Sequence, residues 1–221
     1  MFRRQISNMK TIEGVIFDLD GVLVSTDEQN YQAWKKVADD CQVSFNRETN
    51  NRLRGISRQD CIDIVLEKST REYSKEEKAN LCAKKNEYYL ASLSCLSENT
   101  IDESERNMLK MLKSKGLRLA VASGSRNCRI VMEKTNLIPY FDAIVDGTMI
   151  KNGKPNPEVF LLAAKMIGLE ASKCLIVEDA AVCFPYFEPL GFTGVSIGDA
   201  KRKGAGSYRL DKITDLSSLF E

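Results

Sequence analysis

Val15-Ile16-Phe17-Asp18-Leu19-Asp20-Gly21 is an apolar, β-rich run that ends abruptly in two carboxylates and a glycine. The run predicts a buried strand. Open α/β sheets bind ligands beyond the carboxyl ends of their strands, which is where Asp18 and Asp20 fall. Positions two apart in an extended segment point the same way, so the two side chains share a face. One carboxylate can then attack as a nucleophile while its neighbour moves protons. Gly21 lets the backbone turn sharply away. Taken alone, Asp-x-Asp-Gly reads more readily as a solvated turn, and the rest of the chain decides between the two.

Working outward, further apolar runs occur at residues 117–122, 143–145, 175–177 and 194–197, separated mostly by helix-like stretches. That alternation predicts an α/β fold with a Rossmann-like parallel sheet as its core. Segment 105–115 carries Met108, Leu109, Met111 and Leu112 and stops at Gly116, a suitable helix terminator. Asn156 and Pro157 predict an N-cap and a first-turn proline ahead of Val159, Phe160 and Leu161. Residues 27–96 break the alternation, being almost wholly helix-like, with Trp34, Val37 and Ala38 and then Ile62, Val65 and Leu66 at helical spacing. We therefore expect a helical cap domain over 27–96, inserted into an α/β catalytic core formed by 1–26 and 97–221.

Of the 221 residues 43% are hydrophobic and 29% charged, too apolar a mix for a disordered chain. Thirty-two basic against 31 acidic side chains leave a net charge of +1, which argues against nucleic acid or an anionic membrane as partner. No run approaches the roughly 18 apolar residues of a membrane span. The basic start Met1-Phe2-Arg3-Arg4 lacks the apolar stretch of a signal peptide. Seven cysteines without a CxxC pair, an odd count, fit a reducing compartment. The expectation is a cytoplasmic monomer acting on a small molecule. The chain contains no histidine, which excludes Ser-His, Cys-His and imidazole-metal sites. Acid and base work falls to carboxylates, lysine or tyrosine.

Three further signals follow the first. Leu119-Ala120-Val121-Ala122-Ser123-Gly124-Ser125-Arg126-Asn127 is a strand that ends in small hydroxyl residues ahead of a helix start, and backbone N–H groups and hydroxyls there suit a phosphate. Plain N-capping by Ser125 is the alternative. Lys154 precedes Pro155 and a helix, and Glu178-Asp179 ends the run 175–177. A lysine neutralises phosphoryl charge, and hard carboxylate oxygens suit Mg²⁺. Each signal alone is ordinary. Together, in this order and each at a strand end or the loop after it, they specify magnesium-dependent phosphoryl transfer.

Asp18-Leu19-Asp20-Gly21, Ser123, Lys154 and Glu178-Asp179 resemble the four ordered motifs of the haloacid dehalogenase superfamily, over nearly the whole chain. The resemblance implies that Asp18 becomes an aspartyl-phosphate, that Asp20 is general acid and base, and that Ser123 and Lys154 hold the phosphoryl group. It also implies an essential Mg²⁺ on Asp18, Asp20, Glu178 and Asp179. Thr26, Ala33-Trp34-Lys35, Arg54-Gly55-Ile56-Ser57-Arg58, Lys84-Lys85-Asn86 and Ser123-Gly124-Ser125-Arg126-Asn127 narrow the likeness to the β-phosphoglucomutase family. By that resemblance Arg58 grips the substrate's spare phosphate, Trp34, Gly55 and Lys85 contact the sugar, and Arg126 and Asn127 contact phosphate from the core. Thr26, Arg54, Ser57 and Ser125 complete the expected binding set with Ser123 and Lys154.

A guanidinium fork suits a phosphate dianion. Alone, Arg58 also reads as a surface ion pair and Trp34 as cap packing. The implied activity interconverts β-D-glucose 1-phosphate and β-D-glucose 6-phosphate through a bisphosphate, with a small phosphosugar as the partner. A sugar-phosphate phosphatase of the same fold and a non-catalytic phosphosugar-binding protein are the alternatives. Two positions depart from the family pattern. Asn30 stands where the mutases usually carry a histidine. Residues 182–189, with Pro185 and Pro189, stand where the family usually has a glycine-containing amphipathic helix, for which prolines are poor material.

Overall fold

The computed structural model describes residues 11–53, 56 and 58–221. Gly14–Phe17 (β1), Arg118–Ala122 (β2), Ala143–Val145 (β3), Cys174–Glu178 (β4), Thr193–Ser196 (β5) and Tyr208–Arg209 (β6) form one sheet in the order β3-β2-β1-β4-β5-β6. Every neighbouring pair is parallel. Strand β1 is buried at all four positions, which is why its sequence is apolar without alternation. The sheet matches the α/β reading of the sequence. It adds β6, whose two residues are half-buried and exposed and leave no apolar run to find. The chain builds β2 and β3 on one side of β1, then crosses to β4, β5 and β6 on the other. That reversal opens a crevice beside the carboxyl ends of β1 and β4.

The chain divides into two compact units, one taking it up to Ser25 and again from Ser97 to Glu221, the other Thr26–Leu96. The second unit is helical, with Asp27–Asp40 (α1), Arg47–Asn51 (α2), Arg58–Val65 (α3) and Lys75–Ser92 (α4). Asn46 caps α2, its side-chain oxygen accepting from the Thr49 N–H at 2.9 Å. Ser74 and Glu77 form a capping box at the start of α4. Trp34, Val37 and Ala38 pack with Cys61, Ile62, Val65 and Cys82 into a separate apolar core. The division falls one residue ahead of the expected 27–96, because Thr26 is tied into the cap by its hydroxyl, 2.9 Å from that of Tyr89 on α4.

Around the sheet lie Glu103–Ser114 (α5), Cys128–Lys134 (α6), Glu158–Met166 (α7) and Gly198–Arg202 (α8). Helix α5 starts at an Asp102/Glu105 capping box and buries Met108, Leu109 and Leu112. Helix α7 begins with Pro157 as its cap residue, one position later than the Asn156 cap expected from the sequence, though the Asn156 side chain still accepts from the Glu158 N–H at 3.0 Å. Its Val159, Phe160, Ala163 and Ala164 pack onto Ile16, Ala120 and Ile176 of the sheet.

The proline-bearing segment after β4 is built as two 3₁₀ helices, Ala181–Tyr186 and Glu188–Leu190. Phe187 is buried, its ring 5.0 Å from Phe160 and 5.1 Å from Phe184. Phe184 in turn lies where two glycines leave room: a Cβ on Gly194 would stand 3.1 Å from its ring, and one on Gly206 2.7 Å. An aromatic cluster thus does the packing that an amphipathic helix would do there. Among the described residues no helix is long and apolar enough to cross a membrane. All seven cysteines are free thiols.

Candidate active site

The carboxyl end of β1 delivers Asp18 into the crevice. Its N–H still donates to the Val177 carbonyl of β4 at 2.9 Å, so the ladder fixes the backbone up to the acidic residue. Leu19 then turns inward and is fully buried, while residues 19–24 close a tight turn in which Gly21 N–H donates to the Val24 carbonyl at 2.8 Å. Gly21 sits at φ +88°, and a Cβ there would lie 2.4 Å from a carboxylate oxygen of Asp179. Glycine is needed for the turn and for this close approach. Asp20 is half-buried within the turn.

Lys154 reaches the same point from the loop before α7. Its ammonium donates to Asp18 Oδ1 and to Glu178 Oε2, both at 2.6 Å. The other oxygen of Glu178 accepts from the N–H groups of Asp179 (3.0 Å) and Ala180 (2.9 Å), which orients the carboxylate and shapes the loop leaving β4. From β2, the Ser123 N–H donates to the Val145 carbonyl, its hydroxyl accepts from the Ser125 N–H at 3.1 Å, and the Ser125 hydroxyl accepts from the Asn127 N–H at 3.2 Å. The two serines thus shape the loop that leads into α6, whose cap residue is Asn127 rather than Ser125. Ser123 and Asn127 are buried and Arg126 is exposed.

Burial, and then the Glu178 charge, push the Asp18 carboxyl well above its ordinary value, with Lys154 opposing them. Burial pulls Lys154 down, but the charges of Asp18 and Glu178 outweigh it and hold the ammonium above its usual range. The carboxylate oxygens of Asp18, Glu178 and Asp179 lie within 4.8 Å of one another. Three carboxylates and the Lys154 ammonium gather there, with Asp18 and Glu178 buried and Asp179 half-buried. Hard oxygen donors set this close together fit a divalent cation such as Mg²⁺. The Asp20 carboxylate is not part of that cluster. We expect Asp179→Ala to raise the Mg²⁺ concentration needed for half-maximal activity at least about tenfold. A metal titration of the initial rate checks this, and an unchanged midpoint would remove Asp179 from the metal site.

The remaining expected positions belong to the cap. Trp34, Lys85 and Thr26 are buried and Arg58 is half-buried at the start of α3. Arg54, Gly55 and Ser57 lie outside the described residues. Tyr89, which pairs with Thr26, was not singled out by the sequence. Its only signal is its place one helical turn beyond Lys85, which equally suits packing.

A sequence profile described as haloacid dehalogenase-like hydrolase matches residues 12–182. A β-phosphoglucomutase of Bacillus subtilis is 34% identical over 208 residues, which is 93% of this chain and 92% of that one. A phosphorylated carbohydrates phosphatase of Thermotoga maritima is 29% identical over 76% of this chain and 77% of its own length. Among solved structures, a β-phosphoglucomutase from Clostridium difficile superposes with a TM-score of 0.85 at 30% identity, covering 93% of each chain.

Proposed function

This chain belongs to the haloacid dehalogenase-like hydrolase family, and from that premise we propose that it is a β-phosphoglucomutase interconverting β-D-glucose 1-phosphate and β-D-glucose 6-phosphate. The observation that carries the reading is the Asp18 carboxylate, buried at the end of the central strand under Lys154 and beside Glu178 and Asp179. The likeness to the Bacillus subtilis mutase runs through the cap as well as the core and supports the sugar.

In the proposed reaction an Asp18 oxygen attacks the phosphorus of β-glucose 1,6-bisphosphate. The O–P bond to Asp18 forms as the P–O bond to the sugar breaks, and Asp20 gives the departing oxygen its proton. In the return half, a hydroxyl of the sugar monophosphate loses its proton to Asp20 and attacks the phosphorus, which frees Asp18. Ser123 and Lys154 hold the non-bridging oxygens, and Ser125, Arg126 and Asn127 serve phosphate from the same loop. Asp18, Glu178 and Asp179 would hold Mg²⁺, which would supply positive charge against the phosphoryl oxygens. In the cap, Arg58 takes the spare phosphate, and Trp34, Gly55 and Lys85, with Thr26, Arg54 and Ser57, serve the sugar.

Hydrolysis is the second reading, favoured by the similarity to a carbohydrate phosphatase; there water replaces the sugar hydroxyl as acceptor. The deciding assay supplies β-glucose 1-phosphate, Mg²⁺ and a trace of the bisphosphate and follows glucose 6-phosphate and free phosphate together. Isomerisation without net phosphate release is expected, and stoichiometric release would make the protein a phosphatase. Arg58→Ala separates the two further, because a mutase must hold a bisphosphate by one end while offering the other. Isomerisation should fall on the order of 30-fold or more, and hydrolysis of acetyl phosphate much less. Equal losses on both substrates would assign Arg58 no such grip.

A further inference from the structure

Asn30, one of the two places where the chain departs from the mutase pattern, is the hub of a hydrogen-bonded network in the cap. Its amide oxygen accepts from the Lys85 ammonium at 2.6 Å. Its amide nitrogen donates to the carbonyl and the hydroxyl of Thr26 at 3.2 and 3.1 Å. The Thr26 hydroxyl lies 2.9 Å from that of Tyr89. Lys85, Thr26, Tyr89 and Trp34 are all buried, and the ammonium stands 5.3 Å from the centre of the Trp34 ring and 4.7 Å from that of Tyr89.

A lysine ammonium on a flexible stem is strongly hydrated, and keeping it buried in one place calls for a fixed acceptor. Asn30 is such an acceptor because its own orientation is determined. Exchanging the amide oxygen and nitrogen would set NH₂ against the ammonium and oxygen against the Thr26 carbonyl. One side chain thus joins the start of α1 to the middle of α4 through an acceptor on one side and a donor on the other.

We propose that Asn30 is a positioning residue whose amide aims the Lys85 ammonium at the oxygens of the sugar phosphate and, having no titratable group, holds that aim unchanged through the neutral pH range. The proposal rests on the reading above that Lys85 serves the sugar. The thiols in the field of the ammonium do not undo it. The Cys61 thiol of α3 is pushed up to about 12 by burial and the Cys82 thiol of α4 is likewise raised by burial, so both stay neutral. Arg58 at the start of α3 keeps its charge throughout. Tyr89 brings a phenol whose oxygen lies 2.9 Å from the Thr26 hydroxyl.

The test compares Asn30→Ala and Asn30→His with wild type on acetyl phosphate and on the sugar phosphate. For Asn30→Ala, KM for the sugar phosphate should rise about tenfold or more. Acetyl phosphate hydrolysis should stay within about twofold. A neutral imidazole can accept from Lys85 at one nitrogen and donate to Thr26 from the other, whereas imidazolium donates at both and repels the ammonium. Asn30→His should therefore approach wild type at about pH 8 and fall about tenfold below it at about pH 6, each rate taken relative to wild type at the same pH. This variant is its own folding control. A ratio to wild type that stays constant between the two pH values, or equal losses of Asn30→Ala on both substrates, would overturn the proposal. Should wild type release phosphate instead of isomerising, the mutase reading fails, and the same ratios read from phosphate release still decide the role of Asn30.

Discussion

Asp18→Asn should lower turnover of every phosphoester by about four orders of magnitude or more while leaving the fold intact, as losing a nucleophile does when the rest of the site stays in place. The amide keeps an oxygen for the Lys154 ammonium, now 2.6 Å from the carboxylate, but has no charge with which to attack. Replacing a carboxylate that burial and Glu178 already disfavour removes repulsion, so the melting temperature should hold or rise. The covalent step is checked by incubating wild type with acetyl phosphate or with fluoroberyllate and mapping the adduct by mass spectrometry. Modification on any other residue would take the nucleophile's role from Asp18.

Lys154→Met should lower the rate on the order of a thousandfold, since it removes a fixed cation from where phosphoryl charge develops. It also strips two buried carboxylates of a partner that touches both at 2.6 Å. Breaking a buried pair from one side typically costs about 3–5 kcal/mol, so the metal-free variant should melt well below wild type. The deficit has a pH direction. The Asp18 carboxyl lies above its ordinary 3.8 in the fold, and losing Lys154 raises it further. The variant's folded state therefore binds that proton more tightly than the wild type's, so the deficit against wild type shrinks as pH falls from the variant's Asp18 value to the lower, still raised, value of wild type. Mg²⁺ should recover much of the stability and little of the rate. Recovery of both would reduce Lys154 to a counter-ion.

The strands that form the middle of the sheet were legible because burial on both faces demands unbroken apolar runs, as in Gly14–Phe17 and Cys174–Glu178. Tyr208–Arg209 was not, because one half-buried and one exposed residue at the sheet edge carry no pattern. The start of α7 was misplaced by one residue because Asn156 still caps with its side chain while Pro157 takes the cap position. For the site, the order of the motifs was readable, but their meeting was not measurable from spacing. Lys154 and Asp18 are 136 residues apart, and only the strand order brings β1 and β4 side by side. The cap network is of the same kind, with Asn30 and Lys85 separated by 55 residues. Periodicity reports which face a residue is on, and not which partner waits there.

The seat of Phe184 against Gly194 and Gly206 has a consequence for how this chain can vary. A smaller side chain at 184 alone leaves a void behind β5, and a side chain on either glycine alone collides with the ring. Each single step is unfavourable, whereas a smaller residue at 184 combined with alanine at 194 exchanges one filled volume for another. Positions 184 and 194 should therefore show epistasis, with the paired substitution milder than the sum of its parts, whereas Gly206, at φ +77°, stays fixed as glycine whatever stands at 184. Evolution between this aromatic rear wall and a helical one would then have to cross a valley or move two residues at once.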